Sequence, residues 1–178
     1  VIYTRRRHAV YGERIEIDLT NIMYDYADNF VETNRGIEFE DFRFELIREV
    51  AVEPSFSEET YGSAKPAELV ELIVKDLKET YARRAKAVAD TVRPVMERIY
   101  EDKKDQLDSN IYFPITDGHL GYNVPVNLLK CKNTDGAEIY KIFSKVVMFT
   151  TIDDAWREHL REMDDLRQSV QNATYEQK

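Results

Sequence analysis

The side chains able to do chemistry are few, and their spacing does not favour it. His8, His119 and His159 stand far apart and fall on different expected elements. Glu158, His159 and Glu162 lie close together on what reads as one helix, a grouping that would offer a divalent metal two carboxylates and an imidazole. A metal centre between helices needs matching ligands from a second helix, and the chain supplies none. Asp153-Asp154 and Asp164-Asp165 are acidic pairs of the kind that could share a proton. Neighbours on a helix point about 100° apart, so each pair reads as a solvated face. Cys131 is the sole cysteine, flanked by Lys130 and Lys132, whose charges would lower a thiol pKa. As a loop thiol it reads as incidental. G-x-x-x-x-G-K-[ST], G-x-G-x-x-G and H-E-x-x-H are all missing from the sequence. The residues alone therefore predict no catalytic, metal-binding or cofactor-binding residue in this chain.

Composition narrows the class further. Of 178 residues, 33% are charged and 43% hydrophobic, with 25 Lys+Arg against 34 Asp+Glu and a net charge of -9. That acid excess argues against nucleic-acid binding as the main function. No run of 18 uncharged apolar residues exists, so no membrane-spanning helix is expected. One cysteine rules out an intramolecular disulfide and a cysteine-based zinc cage. The charge is uneven: residues 1–14 hold four Arg and one Glu, whereas residues 15–64 hold 3 basic and 13 acidic residues. The opening residues read like the middle of something, so the chain is expected to be part of a longer protein.

These residues must be positioned by helices. Ile15, Leu19, Ile22, Met23, Tyr26 and Phe30 step by three and four, which predicts one helix over 2–34, with Gly36 as a left-handed stop. Phe42, Leu46, Ile47 and Val50 predict a second over 40–52. Ser57 reads as an N-cap and Pro66 as the first turn of a third helix. That helix carries Leu69, Leu72, Ile73, Leu77, Tyr81 and Ala85, and Pro94 should kink or break it before the pattern resumes to about Leu107. Residues 111–130 change to a period of two around Asp117-Gly118, which predicts a β-hairpin whose Pro114 and Pro125 suit edge strands. A last helix, about 136–172, carries Ile139, Phe143, Val146, Phe149, Ile152, Trp156, Leu160, Met163, Leu166 and Val170. Trp156, Leu160 and Met163 are expected to be its structural core, with Trp156→Ala costing about 3–5 kcal/mol. A helix of about 35 residues is roughly 50 Å long, against a radius of gyration of about 16 Å for a compact domain of this size. Both outer helices should therefore project as rods. The fold class expected is mainly α, with long helices flanking an inserted helical unit and a small β-hairpin.

Two segments carry a resemblance. The run TIDDAWREHLREMDDLRQSV at residues 151–170, followed by YEQK at 175–178, closely resembles the D-x-x-W-[KR]-E-H-L-x-x-M-D-x-L-R signature of SecA, the motor ATPase of bacterial protein export. The run YTRRRHAVYGERIEIDL at residues 3–19 is similar to the long scaffold helix of that family. The resemblance is strong over residues 1–25 and 145–178 and is one of position and helical character between them. It implies that residues 1–36 are the first scaffold segment and 37–135 the helical wing. Residues 136–178 would be the next scaffold segment, the first helix of a two-helix finger. It places Tyr175 at the fingertip, in contact with the translocating preprotein, and Arg5, Arg6, Arg7 and Arg14 at a docking surface for the motor domain. ATP and Mg would be bound by the parent protein and not by this chain. The implied partners are the remaining SecA domains, the SecYEG channel and preproteins, in the bacterial cytoplasm and peripherally at the cytoplasmic face of the inner membrane. The hairpin region looks longer than in many relatives and gains no role from the resemblance. Without the resemblance, a free-standing helical adaptor that binds proteins through its long helices is the rival reading, and a helical metalloprotein a third.

Overall fold

The computed structural model describes residues 15–102, 110–116, 121–134 and 136–176. Arg5, Arg6, Arg7 and Arg14 lie outside them, as does the Asp117-Gly118 turn. The described elements are α1 (Ile15–Asn34), α2 (Phe39–Val50), α3 (Glu58–Ser63), α4 (Pro66–Asp102), β1 (Asn110–Thr116), β2 (Gly121–Asn127), α5 (Leu128–Asn133) and α6 (Ala137–Glu176). The expected class holds: mainly α, with one small antiparallel hairpin.

The first core gathers the ends of three helices. Ala27, Phe30 and Val31 of α1 meet Phe42 and Leu46 of α2 and Leu69, Val70, Ile73 and Val74 of α4. Phe42 is its hub: its ring stands edge-on to Phe30, centroids 5.0 Å apart, and lies 4.7 Å from that of Tyr61. Gly36 ends α1 at φ +104, the left-handed geometry its sequence position predicts. The expected stripe on α1 is only partly buried, because Ile22 is 40% exposed while Ala27 and Val31 take the inner positions. α2 stops two residues earlier than expected. Ala51 turns left-handed at φ 52, and its N–H donates to the Ile47 carbonyl at 2.8 Å.

The second core lies further along the same α4. Val92 and Met96 pack with Val124 and Val126 of β2, Leu128 and Cys131 of α5, and Ile139 of α6. Strand alternation explains the hairpin: Val124 and Val126 face inward, while Asn123 and Pro125 face out. Pro114 pairs with Asn123 and Pro125 with Tyr112. Each strand of a two-stranded sheet has a free side, so the missing N–H need not break the ladder.

Of the kink or break expected at Pro94, the break does not occur, for α4 is helical on both sides of it. Proline in a helix interior costs about 3 kcal/mol. Here the ring sits on the exposed face, where water can serve the Asp90 carbonyl, and buried Val92 and Met96 hold the helix on either side. α5 was not anticipated. Asn127 caps it, its side-chain oxygen accepting from the Lys130 N–H at 3.1 Å. Gly136 links it to α6 at φ +87, where a Cβ would come 3.1 Å from the Ala89 carbonyl oxygen. Only glycine meets both the sign of φ and the close approach to α4.

Two outcomes follow. Ala51→Gly removes the penalty of a left-handed alanine, so it should stabilise the fold by about 1 kcal/mol in urea denaturation. The second concerns pH. The Tyr26 hydroxyl donates to the Glu49 carboxylate at 2.9 Å. Burial first, and then that bond and the Glu49 charge, push the phenol well above its usual 10.0. The raised folded-state value means the stabilisation is complete below pH 10. Above it the unfolded chain releases the proton that the folded chain keeps, so stability should fall as pH rises. Urea midpoints from about pH 9 to about pH 11 should show this fall, and Tyr26→Phe should lessen it.

Candidate functional site

α6 is the element whose placement suggests action at a distance. At 40 residues it is roughly 60 Å long. Its root is clamped. Ile139 is fully buried in the second core. Tyr140 meets Tyr81 of α4 edge-on, with ring centroids 5.0 Å apart, and the Tyr81 hydroxyl shares a hydrogen bond with the Ser144 hydroxyl at 2.9 Å. Burial, chiefly, raises the Tyr140 phenol pKa, and the neighbouring Tyr81 adds to it. Lys141 reaches across to Glu16 of α1 at 3.1 Å. That pair is exposed and contributes little energy.

Further out the helix leaves the body. Trp156 is partly buried, its ring 5.6 Å from that of His159. Every described side chain from Arg157 to Gln171 is exposed. This corrects the expectation of a core at Trp156, Leu160 and Met163: Leu160 is 46% and Met163 50% exposed. The stripe is real as a helical pattern, and Leu166 and Val170 extend it. Periodicity marks which face is apolar, but the second core ends near the root and the described elements do not bury that face. The helix also runs past the expected end at 172, so the backbone at Tyr175 is helical; its side chain lies outside the described set.

Asp164 and Asp165 are exposed, and Asp153 and Asp154 share an arginine. Arg157 takes both Asp153, at 3.0 Å, and Asp154, at 3.5 Å, while Glu158 pairs with Arg161 at 3.1 Å. His159 is exposed. Among the described residues no three His, Cys, Asp or Glu side chains come together as a metal site.

Cys131 corrects another expectation. It is a buried residue of α5, not a loop thiol, and burial pushes it up to about 11, with Glu138 adding to the shift. The flanking lysines do not reverse this. Lys132 lies over the Tyr100 ring, 3.5 Å from its centroid. Sequence reasoning missed the joint of Tyr81, Tyr140 and Ser144. Tyr81 was legible as part of the α4 stripe, but pairing across 63 residues leaves no local signal.

A partly buried tryptophan loses less on truncation than a core one. Trp156→Ala should cost about 1 kcal/mol in chemical denaturation, well under the 3–5 kcal/mol range of full burial.

The whole chain, residues 1–178, matches the family model described as SecA Wing and Scaffold domain. The protein translocase subunit SecA of Parabacteroides distasonis is 43% identical over 178 residues, covering 100% of this chain and 16% of that protein. That of Porphyromonas gingivalis strain W83 is 41% identical over 182 residues, with the same coverages. That of Bacteroides thetaiotaomicron is 39% identical over 178 residues, again 100% and 16%. The chain thus spans 16% of the length of these curated relatives. No solved structure matches it significantly. The match extends over every residue, from the Arg-rich start through both cores to the projecting helix, and the chain belongs to the SecA wing and scaffold domain family.

Proposed function

We propose that this chain is the mechanical scaffold and wing of a protein translocase subunit, coupling ATP-driven domain motion to preprotein movement through a SecYEG channel. The observation that carries the reading is α6, clamped at its root against α4 and the second core and exposing an apolar row along its outer half. A rod held at one end transmits displacement without consuming it in bending. The relatives named as translocase subunits supply the context.

In this reading residues 1–36 and 136–178 are scaffold and 37–135 the wing. ATP and Mg are bound by other domains of the protein. Arg5, Arg6, Arg7 and Arg14 dock those domains through ion pairs. The exposed row Leu160, Met163, Leu166 and Val170 is covered by neighbouring parts of the same protein. No described helix is long and apolar enough to cross a membrane, which suits peripheral contact at the channel. Tyr175 grips the preprotein: its ring offers contact area with no demand on sequence.

The test uses the full-length protein. With Tyr175→Cys, an arrested preprotein carrying a cysteine of its own should form a disulfide at that position when a mild oxidant is added. Tyr175→Ala should lower the translocation rate several-fold and leave nucleotide binding intact, while Tyr175→Phe retains most of it. Wild-type translocation by the alanine variant, with no cross-link from the cysteine variant, would refute the assignment of Tyr175.

A further inference from the structure

We infer that the outer face of α2 is a docking site for a basic, amphipathic segment of protein, independent of the projecting α6. Six of the twelve residues of α2 are Phe, Leu, Ile or Val, and two of these do not serve the core. Phe44 is 63% exposed although Phe42, two residues away, is fully buried. Ile47, one turn on from Phe44, is 39% exposed. Positions three apart on a helix are neighbours, so the two make one apolar spot.

The charge around the spot decides what covers it. α2 itself carries Glu40, Asp41, Glu45 and Glu49 against Arg43 and Arg48. Both arginines flank the spot, and both are engaged within the chain. Arg43 pairs with Glu40, at 3.3 Å, and with Glu53. The charges and hydrogen bonds of these two glutamates, Glu53 foremost, raise the Arg43 pKa. Arg48 pairs with Glu45. The surroundings are left acidic, with the Glu40 side chain 76% exposed. A lipid surface rich in anionic headgroups would be repelled, as would nucleic acid. A helix or strand presenting one or two apolar side chains between lysines or arginines fits both features. The apolar contact fixes the position and the charges steer the approach.

The test is binding of a fluorescently labelled amphipathic Leu/Lys peptide of about 18 residues to the 178-residue chain, followed by anisotropy. Saturable binding is expected, weakening as salt rises from about 0.05 M to about 0.5 M. Phe44→Ser should weaken it about tenfold or more, with the circular dichroism spectrum unchanged. Ile47→Ser gives the same reading should Phe44→Ser disturb the fold. Leu166→Ser, on the exposed row of α6, should change the affinity less than twofold. The inference is overturned if no saturable binding is seen, or if a Lys/Ser peptide of equal charge binds as tightly. It is also overturned if the α2 variants bind like the parent chain, or if Leu166→Ser causes the loss.

Discussion

One helix has to serve two hydrophobic cores, and the other elements arrange themselves around that constraint. Leu69, Val70, Ile73 and Val74 commit the first half of α4 to α1 and α2; Val92 and Met96 commit its second half to the hairpin, α5 and α6. At 100° per residue the two sets of inward positions are rotated by roughly 90° about the helix axis. The hairpin core and the α1–α2 core therefore attach to different faces of a common spine. A spine of 37 residues is far longer than an isolated helix needs to be, and its stability comes from being packed at both ends. This also accounts for the tolerance of Pro94, whose cost is met by the packing on either side of it.

Between the cores the contacts change character. Asp76 is only 3% exposed, and its carboxylate accepts from the Ser55 N–H at 2.8 Å. Arg84 donates to the Ala51 carbonyl at 2.8 Å. These two bonds pin the loop between α2 and α3 on α4. On the other side, Tyr81 holds α6 through a ring contact and a shared hydroxyl bond. Such bonds contribute about 1 kcal/mol each, and they are directional. They set the angle of an element more than they contribute to its burial. The root of α6 is thus oriented by polar contacts and anchored by Ile139, and its outer half follows from there.

That division bears on the proposed role. Rigid cores carry load and directional joints fix geometry, while surfaces left apolar are those at which a larger assembly closes over the chain. The α6 row and the α2 spot are both of the last kind. On each, arginines pair locally with part of an acid excess.

The sequence by itself determined the elements. Period, caps and breakers located α2, the start of α4, the hairpin and the long last helix, because these signals act within a few residues of one another. Gly36 and Ser57 were legible for the same reason. A long composite motif at 151–170 pointed to the family. Only the tertiary structure decided burial. Leu160 and Met163 share the stripe of Ile139, and no local signal says that the core ends between them. Cys131 stood between two lysines, but the protein interior raised its pKa where local charge alone would have lowered it. Tyr81 and Ser144 meet across a gap in sequence that no periodicity spans. Local order comes from short-range sterics and hydrogen bonds, while burial and long-range pairing depend on which surfaces the folded chain brings together.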